Sequence, residues 1–301
     1  MPGDLYILCP GQGAQIVGMG KSLCEGSASA RELFEKSSRA LGFDLAAVCF
    51  GGPEERLNQT DISQPAIYVT SIASFRISVE AGLFDAGAVT AYAGLSLGEY
   101  TALHLAGAFG FEEGLRLVAQ RGKYMQEAAV ASPSGMVALI GADEAAATKL
   151  CAECAGGEVL VPANFNAPGQ IVISGSSGAC ARAVTGAEAM GIRAMPLKVA
   201  GAFHSPLMQP AADKMTAELA KVAFTPPVKT VYSNVTARPH GDVGEIKRLL
   251  VEQIVSPVRW EQTMQTIVAQ PEARFIELSP GRTLAGLGKR INRRLVIESI
   301  G

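Results

Sequence analysis

Along the chain, short unbroken apolar blocks alternate with longer segments whose apolar residues recur at helical spacing. "LYILCP" near the start reads as a buried strand, and "ARELFEKSSRALGF" as a helix that stops at Gly42. "QPAIYVTSIASFRISVEAG" predicts a long helix opening behind Pro65. "AVTAYAGLS" then reads as a strand leading into a helix, "LGEYTALHLAGAF". Such alternation predicts an α/β fold, with a mostly parallel sheet covered by helices on both faces.

The pattern changes between about Ala128 and Val199. Strand "GMVALIGA", helix "DEAAATKLCAECA", strands "EVLVPANFN" and "QIVISGS", helix "GACARAVTGAEAMG" and strand "IRAMPLKV" follow in turn. This β-α-β-β-α-β order is that of a ferredoxin-like α+β unit, expected as a small inserted domain over 128–199. Residues 1–127 and 200–301 then form the large domain, with "VKTVYSN" and "EARFIELSP" as the strands that complete its sheet.

Composition narrows the class. With 48% hydrophobic residues, 33 glycines and 18% charge in 301 residues, the chain can bury ~75% of its unfolded surface. A net charge of −2 provides no global basic field, so nucleic acid is not an expected partner. No apolar run reaches the ~18 residues that a membrane span needs, and "MPGDLYILCPG" lacks the regions of a signal peptide, so a cytoplasmic protein is expected. The six cysteines lack a secreted disulfide spacing. Cys151 and Cys154 spell C-x-x-C but have no second half-site and fall late in a helical segment, so neither metal nor redox chemistry is expected of them. The basic run Lys289 to Arg294 reads as a solvated helix end.

The chemical signal is Gly94-Leu95-Ser96-Leu97-Gly98, at the switch from strand to helix. The spacing is that of a nucleophile elbow, whose sharp turn leaves no room for side chains two residues on either side of the serine. A serine needs a base, and three histidines are available. His104 lies eight residues downstream in the same helix and reads as structural. His240 follows Pro239 in a polar turn and reads as solvent-exposed. His204, in "VAGAFHSPLM", sits where the inserted unit hands the chain back, and a domain junction is where a cleft is expected. The glycines of "CPGQGAQIVGMG" fit neither a dinucleotide fingerprint nor a P-loop. A Gly11-Gln12-Gly13 turn instead allows the close backbone approach that an oxyanion site requires.

Seven stretches in register carry a resemblance: "PGQGAQ", "SQPAIY", "GLSLGEYTAL", "QRGKYMQ", "NAPGQIVISG", "GAFHSPLM" and "VEQIVSPVRW". Over nearly its whole length the chain resembles the malonyl-CoA:acyl carrier protein transacylases and the related acyltransferase domains of polyketide synthases. The resemblance implies an α/β-hydrolase-like large domain and a malonyl-serine intermediate. It makes Ser96 the nucleophile and His204 the base, with the N–H groups of Gln12 and Leu97 as the oxyanion hole. By the same resemblance, Arg121 clamps the malonyl carboxylate, Gln253 orients His204 through its carbonyl, and Asn166 lines the acyl pocket. Phe203, before the histidine, goes with malonyl rather than methylmalonyl. Two positions depart from the common pattern: Leu95 in place of a histidine, and Ser279 where many members carry glycine.

The implied enzyme works in fatty acid synthesis as a monomer, with malonyl-CoA and acyl carrier protein as partners and no cofactor. Two readings stay beside it: a serine thioesterase or hydrolase, and a discrete polyketide synthase acyltransferase. Without the resemblance, Arg121 reads as an ordinary surface charge of a helix.

Overall fold

Strand β1 (Leu5–Cys9) is buried along its whole length, with Leu5, Ile7 and Cys9 in one core and Tyr6 and Leu8 in another. A strand with apolar side chains on both faces can only sit at the centre of a covered sheet. The computed structural model, which describes residues 3–270 and 272–301, places it there. β1 pairs in parallel with β2 (Val89–Gly94) on one side and β8 (Arg274–Leu278) on the other. β7 (Thr230–Val231) and β9 (Ile297–Ile300) extend the two edges, giving a five-stranded parallel sheet in the order β7-β2-β1-β8-β9. The "VKTVYSN" strand shrinks to two residues, because only Ala91 and Tyr92 of β2 offer it partners. β9 escapes sequence reading, since none of its four residues is buried and they show no clean alternation.

A second, antiparallel sheet has the order β4-β5-β3-β6, from β3 (Ser134–Ile140), β4 (Leu160–Ala167), β5 (Gln170–Ser176) and β6 (Arg193–Pro196). One face carries Val137, Leu139, Ile171 and Ile173 into a core shared with helices Glu144–Cys154 and Ser177–Ala189. Met136, Ala138 and Val172, at the alternate positions, belong to the larger core and bind this sheet to the rest of the molecule. Only half of "IRAMPLKV" is strand; from Leu197 to Ala200 the chain is exposed and irregular.

The long helix runs Thr60–Glu80 and so begins before Pro65, not behind it. The Gln126 side chain accepts from the Thr60 N–H at 3.2 Å, and Ser63 N–H bonds Gln59 C=O, so the turn ahead of the proline is already helical. That partner lies on helix Phe111–Val130, far along the chain, where local sequence cannot display it. Among the described residues no helix is long and apolar enough to cross a membrane.

The crossing from β2 into helix Gly98–Leu105 is a tightly packed joint. A Cβ on Gly94 would stand 1.9 Å from the carbonyl carbon of Gly98, and one on Gly98 would stand 2.1 Å from the Cys9 oxygen. Both obstacles are backbone, which cannot swing away. Gly98→Ala should therefore lower stability by about 1–3 kcal/mol, the usual cost of overpacking. Gly286→Ala, in helix Thr283–Ile291 with open space around it, should instead stabilise by about 0.5–1 kcal/mol. Thermal denaturation of both variants is the check.

Candidate active site

Ser96 sits at the tip of this joint with φ 52°, a left-handed conformation that costs an L-residue ~1–2 kcal/mol. The surroundings hold it there. Its N–H donates to Asn234 Oδ1, and its C=O accepts from Gln253 Nε2 at 3.0 Å. The hydroxyl Oγ lies 2.8 Å from His204 Nε2. His204 arrives on the irregular segment after the antiparallel sheet, and its Nδ1 lies 2.7 Å from the Gln253 carbonyl oxygen. A carbonyl only accepts, so the ring proton resides on Nδ1 and Nε2 is free to take one from Ser96. Burial, and then the Arg121 charge, push the His204 pKa down to about 4.

Arg121 projects from helix Phe111–Val130 and is 1% exposed, so it is no surface charge. Nη1 donates to Gln64 Oε1 at 2.7 Å; Nη2 donates to Gln253 Oε1 at 2.7 Å and to Ser96 Oγ at 3.0 Å. The guanidinium lies over the Tyr100 ring, 5.5 Å from its centroid. Burial pulls its pKa down, yet a guanidinium keeps its proton in proteins. Every one of these hydrogen-bond acceptors is a neutral oxygen. Among the described residues no carboxylate pairs with Arg121, although an unpaired buried charge costs several kcal/mol.

The loop after β1 closes over the elbow: a Cβ on Gly11 would meet the Leu95 oxygen at 2.3 Å. The N–H groups of Gln12 and Leu97, one on each side of this contact, donate to no acceptor among the described residues. A cleft of about 350 Å³ opens here, between the parallel-sheet body and the antiparallel sheet. Gln12, Ser96, Arg121, Phe203 and His204 line one side; Met136, Asn164, Asn166 and Val172 line the other. Leu197, Lys198, Val199 and Leu287 are also among its lining residues.

All eight residues singled out from the sequence thus meet in or directly behind one cleft. The two other histidines do not join them. His104 Nδ1 lies 3.0 Å from the Phe109 carbonyl, among aromatic rings. His240 corrects the expectation of a solvent-exposed turn: its side chain is 1% exposed, and Nε2 lies 2.7 Å from Glu99 Oε1. The turn folds back because Pro239 bridges Tyr232 and His240 N–H bonds Val231 C=O, which tucks the ring inward. Cys151 is buried, which pushes its thiol up to about 12, and the described residues contain no cluster of three or more His, Cys, Asp or Glu placed for a metal. Sequence reading missed Gln64, Asn234 and Glu99. Only Glu99 left a signal, as a lone carboxylate in the apolar run "LGEYTALHLAG".

Comparisons with known proteins cover almost the whole chain. Residues 6–294 match the acyl transferase domain family. The malonyl CoA-acyl carrier protein transacylase of Salmonella typhimurium is 44% identical over 293 residues, covering 97% of this chain and 94% of that protein. The solved malonyl CoA-acyl carrier protein transacylase of Coxiella burnetii superposes with a TM-score of 0.96 at 40% identity, covering 100% of this chain and 94% of that one. A malonyl-transacylase solved in complex with a type II PKS acyl-carrier protein superposes with a TM-score of 0.92 at 39% identity, covering 98% and 94%.

The lowered His204 pKa has a pH signature. A histidine with its pKa near 4 is neutral throughout the neutral range, so the acid limb of Ser96 reactivity toward an activated ester should fall near pH 4, not near 6.5. Arg121→Ala removes one lowering influence and should move that limb upward. For stability, the unfolded chain takes up a proton below about 6.5 that the folded imidazole refuses until about 4, so His204 weakens the fold as pH falls through that window. Stopped-flow burst rates after a pH jump, with denaturant midpoints at each pH, check both statements.

Proposed function

The chain belongs to the acyl transferase family, among its malonyl-CoA:acyl carrier protein transacylases, and we propose that it moves a malonyl group from malonyl-CoA to the thiol of an acyl carrier protein. The observation that carries this reading is Arg121, a buried guanidinium without an anionic partner, one hydrogen bond from the nucleophile. A malonyl thioester supplies the missing carboxylate. Guanidinium matches a carboxylate in a planar, two-bond arrangement that an ammonium cannot reproduce.

Ser96 Oγ attacks the thioester carbonyl while its proton passes to His204 Nε2. The amides of Gln12 and Leu97 donate to the oxyanion of the tetrahedral adduct. The carbon–sulfur bond then breaks, the proton moves from His204 to the departing thiolate, and a malonyl-serine ester remains. The carrier's phosphopantetheine thiol enters the same cleft and gives its proton to His204. Its sulfur attacks the ester, and Ser96 recovers its hydrogen as the thioester leaves. Ester formation and breakdown thus each pass one proton through the same base, from Ser96 to the departing CoA thiolate and then from the carrier thiol back to Ser96.

Two architectural readings go with this function. The elbow after β2 supports a hydrolase-like large domain from residues 1–127 and 200–301. The order β4-β5-β3-β6, with two helices in one core, supports a ferredoxin-like insert over 128–199. Phe203, 6% exposed and lining the cleft, occupies the space that a methyl branch on the malonyl group would need.

Ser96→Ala should abolish the malonyl adduct seen by intact-mass spectrometry after mixing with malonyl-CoA; an adduct of normal yield would reassign the nucleophile. Hydrolysis of the wild-type adduct at the same rate with and without carrier protein would favour a thioesterase. Arg121→Ala should lower malonyl kcat/KM by at least ~10-fold, since each charge-assisted bond contributes ~1.5–3 kcal/mol. It should also raise acetyl transfer relative to malonyl, because a substrate lacking the carboxylate no longer leaves a buried cation unpaired. Phe203→Ser should admit methylmalonyl-CoA. Comparison of kcat/KM for the three donors decides, and an unchanged malonyl-to-acetyl ratio in Arg121→Ala would remove the main support for malonyl.

A further inference from the structure

Behind the elbow lies a carboxylate with no part in the transfer steps above. Glu99 is fully buried in the first turn of helix Gly98–Leu105, and three donors converge on it. His240 Nε2 reaches Oε1 at 2.7 Å; Asn234 N–H, at 3.0 Å, and Gln253 Nε2, at 2.7 Å, both reach Oε2. The last two residues are the ones that grip Ser96. Asn234 Oδ1 accepts the Ser96 N–H while its Nδ2 donates to the Gly94 carbonyl, and Gln253 Nε2 also donates to the Ser96 carbonyl. Both peptide groups of the strained serine are therefore held by residues that a single carboxylate orders.

The donor and acceptor chemistry leaves one arrangement. A carboxylate ringed by donors only accepts, so the Gln253 amide must turn its nitrogen toward Glu99 and its oxygen toward Arg121, which only donates. We propose that Glu99, steadied by His240, is a positioning residue for the nucleophile. It fixes Asn234 and Gln253, and through them the left-handed turn that aims Ser96 Oγ at His204. The proposal rests on the acyl-transfer reading above and assigns Glu99 no contact with substrate.

Glu99→Ala leaves three buried donors without an acceptor and lets the turn relax. Misplacing a reacting atom by about 1 Å can cost ~100-fold, so the single-turnover acylation rate constant with malonyl-CoA should fall about 100-fold. Its concentration dependence should stay as in wild type, because Arg121 and the cleft remain. Acetyl-CoA should slow in the same proportion, unlike in Arg121→Ala. Glu99→Gln should recover most of the rate, since its oxygen can accept from Asn234 and Gln253 while its NH₂ turns to the other His240 tautomer. Asn234→Ala, which removes one grip and spares Glu99, should slow acylation about 10-fold and serves if Glu99→Ala does not fold.

Burst amplitude gives the fraction of active sites and separates a positioning role from a structural one. A loss confined to amplitude and melting temperature, with a wild-type rate constant per active site in Glu99→Ala or in Asn234→Ala, would overturn the proposal. So would a Glu99→Gln variant as slow as Glu99→Ala. Wild-type enzyme run alongside keeps the two readings apart: no malonyl adduct on wild type refutes the transfer reading itself, whereas a normal wild-type burst with unslowed variants refutes only the role of Glu99.

Discussion

Gln253 is the joint on which the site turns. Its backbone carbonyl holds His204 Nδ1, its Nε2 holds the Ser96 carbonyl and Glu99, and its Oε1 holds Arg121 Nη2. His204, Ser96 and the Arg121 guanidinium thus take their relative positions from one fully buried residue just past the end of helix Val243–Glu252. In a low-dielectric interior such bonds reinforce one another, and a missing partner leaves a polar group stranded. A shift of that helix end would disturb all three groups together.

The choice of a neutral carbonyl behind the histidine follows from the charge beside it. A carboxylate there would raise the His204 pKa and would also offer Arg121 an internal partner, in competition with any acidic substrate. The carbonyl fixes the tautomer without adding charge. Glu99, the buried acid of the site, is kept one residue away by the Gln253 amide, which shows it nitrogen and shows Arg121 oxygen. The guanidinium consequently faces the cleft hydrogen-bonded only to neutral oxygens among the described residues.

The cleft itself comes from two sheets meeting. The parallel sheet delivers Ser96 at the C-terminal end of β2, where open α/β sheets expose their ligand sites. The antiparallel sheet spends one face on its own two helices and gives the alternate side chains, Met136 and Val172, to the cleft wall. The period-two alternation of β3 and β5 therefore decides both the local core and one wall of the pocket.

Much of this was legible in the chain. The double-sided burial of β1 follows from an unbroken apolar run, the elbow from two glycines flanking Ser96, and the β-α-β-β-α-β order from the change of period between Ala128 and Val199. These are local signals, written in neighbouring residues. Ser96 and His204 stood out as candidates from local pattern and position, but Arg121 and Gln253 drew attention only through family resemblance, because a mid-helix arginine looks the same buried or exposed. The start of the long helix at Thr60, the inward turn of His240 and the carboxylate bracket of Glu99 left no local mark that spacing could decode. The helix start and the Glu99 bracket depend on partners 66 to 154 residues away along the chain, and the inward ring of His240 ends on a carboxylate 141 residues away. A hydrogen bond across such a separation is decided by packing, and packing exists only once the helices and both sheets are in place.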